Sequence, residues 1–185
     1  MSVGRTLRRG DSARGASGEG RSGLVKAEEW AEWLPRWAQR GVRVAVAESC
    51  TGGLLGAALT DPAGASAVFL GGVIAYDNRL KSELLGVPEE LIHAHGAVSE
   101  PVARAMADGC RRRFACDVAV AVTGIAGPSG GTDSKPVGLV FVAIATPDGL
   151  CCRRFQWDGG REENRTRAVE AALDLMKEWF VAGDA

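Results

Sequence analysis

A chain of 185 residues, 46% hydrophobic and 24% charged, is long enough to bury a core without disulfides or metal and has room for one domain. Its formal net charge of −1 argues against broad electrostatic binding to nucleic acid or to an anionic membrane. Five cysteines without a C-x-x-C pair, and only two histidines, His93 and His95, exclude a three-histidine metal site and suit reduced thiols. No apolar run reaches 18 residues and no signal-peptide core opens the chain, so the reading is a cytoplasmic protein with no membrane span, no metal and no cofactor.

Residues 1–23 are rich in Gly, Ser and Arg and nearly free of large apolar side chains, a composition that predicts a disordered tail ahead of one domain over 24–182. Residues 24–39 place Leu24, Trp30, Trp33, Leu34 and Trp37 at helical spacing, with Pro35 expected to kink or split the helix. A short buried strand over 42–47 follows, then a helix over 51–59. In the apolar run 67–76 the part after Gly71-Gly72 reads as a strand. Residues 78–85 and 89–95 read as short helices, and Ser99 as the N-cap of a long helix to Phe114. Strands are expected over 117–122 and 137–146, the second turning at Pro147-Asp148-Gly149 into a returning strand over 150–157. Glu162 to Val181 carries one apolar helical stripe. Short all-apolar strands alternating with helices, closed by a hairpin, predict a three-layer α/β/α sandwich with a mixed sheet.

In such sheets ligands sit beyond the carboxyl ends of the strands, where loops meet helix N-termini. Three strand ends carry polar, glycine-rich sequence: ESCTGG from Glu48, YDNRLK from Tyr76 and TGIAGPSGGT from Thr123. ESCTGG alone admits a nucleophile at Ser49, a phosphate cradle or a helix cap. Cys50 is a rival nucleophile, but its commoner fate is a small packed thiol. A serine needs a base. His93 or His95 could complete a triad, or a lysine of depressed pKa could serve, and of the four lysines Lys81, five residues after Tyr76, is the better placed. Arg79 beside it would ease loss of its proton. Arg161 and Arg165 fall at i, i+4 at the start of the last helix. A cation there opposes the helix dipole, so Arg161 is read as serving a ligand.

AESCTGG, LGGVIAYDNRLKSELLGV, HGAVSEPVARAMA and AVTGIAGPSGGTDSKPVGLVFVA, in order from about Val42 to Arg165, resemble the CinA C-terminal domain family, which includes nicotinamide mononucleotide deamidases. The resemblance implies hydrolysis of the carboxamide of nicotinamide mononucleotide to nicotinate mononucleotide and ammonia, within pyridine nucleotide recycling. It puts the nucleophile at Ser49, the Y-x-N-x-x-K pair at Tyr76 and Lys81, and a further catalytic hydroxyl at Thr123. Lys81 would act as base, and Thr123 with the backbone N–H groups of Thr51, Gly52 and Gly53 would hold the oxyanion. Asn78, Gly124, Gly127 and Arg161 would bind the nucleotide. Gly160 stands where the family's G-D-R pattern has aspartate. The implied partner is a small nucleotide substrate, with neither nucleic acid nor membrane. Three tryptophans in the first helix add an expected homodimer surface. The alternatives are a non-catalytic competence- or damage-associated partner module, and an amidohydrolase of another nucleotide or amide.

Overall fold

In the computed structural model, residues 27–182 are described, and the expected tail and Leu24 lie outside them. The elements run α1 (Ala27–Gln39), β1 (Val44–Glu48), α2 (Leu54–Thr60), a 3-10 turn (Ala65–Ala67), β2 (Phe69–Ile74), α3 (Asn78–Leu85), α4 (Glu89–His95), α5 (Glu100–Phe114), β3 (Val118–Gly124), β4 (Leu139–Thr146), β5 (Gly149–Gln156) and α6 (Arg161–Ala182). The sheet order is β2-β1-β3-β4-β5. β1 is parallel to β2 and β3, whereas β4 is antiparallel to both β3 and β5.

Strand alternation sorts the core into two halves. Val44, Val46, Val118, Val120, Val122, Val140 and Val142 face α1, α2 and α6. Ala45, Ala47, Ala119, Ala121, Ala143 and Ala145 face the helices α3 and α5. Small side chains on that second face let α5 come close to the sheet. This is the α/β/α sandwich with a mixed sheet expected from short apolar strands alternating with helices and closed by a hairpin.

Two local expectations are corrected, those at Pro35 and at Gly71-Gly72. α1 is one helix across Pro35, its inner face held by burial of Trp30, Leu34 and Trp37. β2 runs through Gly71-Gly72 instead of starting after them, because a Cβ at Gly72 would lie 2.4 Å from Val46 Cγ2 and 2.7 Å from its carbonyl oxygen. Glycine there is what allows β2 to lie against β1. Ser99 has the extended backbone of an N-cap but makes no side-chain cap bond; its hydroxyl donates to the Gly96 carbonyl at 2.8 Å. Of the three tryptophans of α1, only Trp33 keeps part of its surface exposed. Trp30 and Trp37 are buried, and Trp37 stacks on Phe180 of α6 with ring centroids 4.8 Å apart. Among the described residues no helix is long and apolar enough to cross a membrane.

Candidate active site

The turn after β1 is built by Glu48. Its carboxylate accepts from the N–H of Gly53 at 2.9 Å and of Leu55 at 3.1 Å on one oxygen, and from Gly56 at 2.8 Å on the other. A fully buried anion thus satisfies the orphan donors at the start of α2 and meets the positive end of its dipole. The chain reaches that position through Gly52 at φ +60° and Gly53 at φ +100°, left-handed conformations that glycine adopts without strain. This explains the polar crowding of ESCTGG: the cap is Glu48, not Ser49 or Thr51.

Register fixes what lies beside Ser49. Glu48 pairs with Ile74 on one side and Val122 on the other. Ala75 N–H donates to the Glu48 carbonyl at 2.8 Å, and Ser49 N–H to that of Val122 at 2.9 Å. One residue further on, Ser49 is level with Ala75 and Thr123 across three adjacent strand ends. Alternation continues Ala47 to Ser49 and Ala121 to Thr123, so both hydroxyls belong to the alanine face, where α3 packs. Ser49 is 8% exposed and Thr123 1%.

Lys81 comes from α3 on the same face and is 1% exposed. Its Nζ donates to the carbonyls of Ala75 at 2.9 Å and Tyr76 at 3.1 Å. Burial holds its pKa below the ordinary lysine value of 10.5, against opposing pulls from Asp77 and Cys50. Arg79 is not the cause, being exposed and paired with Glu83 at 3.5 Å. A neutral amine has two N–H bonds and one lone pair. The two carbonyls engage the two N–H bonds and leave one tetrahedral position for an incoming proton. Cys50 faces the valine side of the core, and burial pushes its thiol up to about 12. It stays protonated, the inert packed thiol expected.

The remaining expected residues divide. Tyr76 is 58% exposed, and its phenol oxygen accepts from Arg161 Nη2 at 3.4 Å. Arg161 Nη1 also donates to the Gly127 carbonyl at 2.9 Å, so Tyr76, Gly127 and Arg161 meet. Gly124 ends β3, where a Cβ would lie 2.6 Å from Val140 Cγ2. Asn78 opens α3, exposed to solvent. The expected oxyanion donors are largely engaged elsewhere. Gly53 N–H goes to Glu48, Gly52 N–H to the Ser49 carbonyl at 3.2 Å, and Thr51 is fully buried. Thr123 Oγ1 donates its one proton to the Ala97 carbonyl at 2.9 Å, which makes it an acceptor toward the site. His93 and His95 sit exposed on α4 and make no hydrogen bond with Ser49 among the described residues.

Three residues outside the expected set hold the site together. Arg165 donates to the Cys50 carbonyl at 3.1 Å and the Thr51 carbonyl at 2.8 Å, pinning the nucleophile turn to α6. The buried Asn164 donates to the Ala126 and Gly159 carbonyls at 3.1 and 2.7 Å. Lys135 ties the glycine loop to the α4–α5 turn. The i, i+4 spacing of Arg161 and Arg165 was a usable signal in the sequence; Asn164 and Lys135 offered none. Among the described residues no group of three or more His, Cys, Asp or Glu could hold a metal ion.

This is a mixed α/β/α domain with a serine and a threonine at adjacent strand ends and a buried lysine from α3. The CinA C-terminal domain model matches residues 28–180, and the chain belongs to that family. It is 52% identical over 153 residues to a CinA-like protein of Gemmatimonas aurantiaca, covering 82% of this chain and 36% of that protein. A CinA-like protein of an Anaeromyxobacter species is 49% identical over 173 residues, covering 94% and 42%. The chain therefore spans well under half the length of these curated relatives. Among solved structures, the competence/damage inducible protein CihA of Agrobacterium tumefaciens superposes with a TM-score of 0.80 at 42% identity, covering 83% of this chain and 94% of that one. A CinA superfamily protein of Escherichia coli gives 0.80 at 28% identity, covering 88% and 94%.

Proposed function

We propose that this chain is an amidohydrolase that converts nicotinamide mononucleotide to nicotinate mononucleotide and ammonia through a Ser49 nucleophile and a Lys81 base. The observation that carries the reading is the buried Lys81 amine, held by two carbonyls at the strand end level with Ser49. A buried amine of depressed pKa beside a hydroxyl suits a general base; a binding module has no use for one.

In the proposed reaction Lys81 takes the Ser49 Oγ proton as Oγ attacks the carboxamide carbon. The proton passes to the departing nitrogen, ammonia leaves, and an ester on Ser49 remains. Water then attacks the ester while Lys81 takes its proton. The acid is released and Ser49 recovers its hydrogen. With the N–H groups of Gly52 and Gly53 engaged, the oxyanion donor in this reading is the N–H of Cys50, next to the nucleophile. Arg161, at the mouth beside Gly127 and Tyr76, is the cation for the nucleotide phosphate.

The test is ammonia release by the purified protein from nicotinamide mononucleotide, compared with nicotinamide and with unrelated amides. Ser49→Ala and Lys81→Met are expected to lose at least about a hundredfold in kcat, the scale of a missing nucleophile or base. Ammonia release at the wild-type rate by folded Ser49→Ala would remove this mechanism. Preference for another amide would keep the chemistry and change the substrate, and no release from any amide would favour the partner module.

A further inference from the structure

Residues 95–98, from the last residue of α4 through the turn before α5, present four successive carbonyls that each accept a hydrogen bond from a side chain. Lys135 Nζ donates to His95 and, at 2.8 Å, to Val98. Ser99 Oγ donates to Gly96 at 2.8 Å and Thr123 Oγ1 to Ala97 at 2.9 Å. Backbone turns rarely need so many side-chain donors, since most carbonyls are satisfied by other backbone groups or by water.

Lys135 is delivered by a closed turn of its own: its N–H donates to the carbonyl and the hydroxyl of Thr132, both at 3.1 Å, and Thr132 N–H returns to the Lys135 carbonyl at 2.8 Å. The ammonium lies over Gly96, where a Cβ would come within 2.7 Å of Nζ and where φ is +73°. Among the described residues no carboxylate pairs with it.

We propose that Lys135 is a positioning residue of the hydrolytic site. Its ammonium, caught between the His95 and Val98 carbonyls, fixes the turn whose Ala97 carbonyl takes the Thr123 proton. Thr123 Oγ1, its proton committed to Ala97, is therefore left as a hydrogen-bond acceptor at the strand end beside that of Ser49. A threonine has one proton to give, so the direction of that one bond decides whether Thr123 competes as a donor or orients its neighbours' protons. The glycine loop, anchored at Gly127 by Arg161 and at Lys135 by this turn, couples ligand contacts to the proton-handling residues. This inference rests on the Ser49–Lys81 reading given above.

The experiment compares the whole protein with Lys135→Met, Lys135→Arg, Gly96→Ala, Thr123→Val and the Lys135→Met/Thr123→Val double variant. Two readouts are followed alongside thermal melting: kcat and KM for ammonia release from nicotinamide mononucleotide, and the rate at which phenylmethanesulfonyl fluoride modifies Ser49, read by intact mass. Lys135→Met is expected to lower kcat by roughly ten- to a hundredfold, the cost of sub-ångström misplacement, with KM little changed. Lys135→Arg, which keeps a cation that can reach both carbonyls, recovers most of that loss. Gly96→Ala, which displaces the ammonium without removing it, reproduces the loss should Lys135→Met not fold.

In the double variant the lysine change adds little to the Thr123→Val loss, because both act through one hydroxyl. Additive losses, an unchanged kcat in folded Lys135→Met, or a change confined to KM would each overturn the proposal, the last by making Lys135 a substrate ligand. Slower Ser49 modification in Lys135→Met without any wild-type ammonia release would keep this inference and reject the substrate. A wild-type protein with neither activity nor modification would reject both.

Discussion

At the scale of single residues, Lys81 decides how the protein responds to pH. Burial lowers its pKa below 10.5 in the folded chain, whereas the unfolded chain keeps the ordinary value. Between those two values the unfolded state binds the additional proton, so stability rises with pH across that window and is lowest below it, where the buried ammonium must be charged. Lys81→Met should flatten this rise, which urea unfolding at a series of pH values would measure. Under the proposed mechanism kcat/KM climbs with pH through the same depressed value, since the neutral amine is the base. A midpoint at the ordinary lysine value would sink the assignment. That polar residues gather at the strand ends could be read from the sequence, because apolar strands running into glycine-rich segments are few, but the choice of Ser49 over Cys50 came from the family resemblance. The role of Glu48 was not legible: its N–H partners lie five to eight residues onward, and only the two left-handed glycines bring them back to it.

At the scale of elements, backbone spacing overrides local propensity in α5. Gly109 sits inside that helix, where alanine ordinarily stabilises by about 1 kcal/mol. Here a Cβ would lie 1.7 Å from the Leu85 carbonyl oxygen, where the chain leaves α3. Overlap with backbone cannot be relieved by a rotamer, so Gly109→Ala should destabilise by roughly 1–3 kcal/mol in spite of its propensity. Thermal or urea unfolding reads the sign directly, and a stabilised variant would mean that α5 can shift away from α3. The long helix α6 was readable from its apolar periodicity and α5 from the start signal at Ser99. The extent of β2 was not, because glycine is a poor strand former in isolation. Its place in β2 follows from the approach of β1, which only the assembled sheet contains. Pro35 misleads in the same way: the missing N–H costs α1 one bond, but three buried apolar side chains hold the helix to the core on both sides of it.

At the scale of the whole molecule, α2 and α6 pack on the valine face of the sheet and against each other, α1 packs on them, and its two buried tryptophans are held differently. Trp30 Nε1 donates to the Leu59 carbonyl at the end of α2 at 3.1 Å. Trp37 Nε1 is buried without a hydrogen-bond partner among the described residues, although its ring stacks on Phe180 and meets Trp30 edge-on at 5.4 Å. Replacing either with phenylalanine removes a similar share of apolar area, so their difference isolates the indole N–H. Trp30→Phe loses a bond and leaves a buried carbonyl unmet, a cost of about 1–3 kcal/mol beyond the area term; Trp37→Phe removes a buried donor that was already unsatisfied and recovers a penalty of that order. Trp37→Phe should therefore be the milder change, with a Tm higher than that of Trp30→Phe by about 2–4 °C for each kcal/mol of difference. Equal losses would mean that ring packing between α1 and α6, not hydrogen bonding to α2, sets how firmly α1 is held.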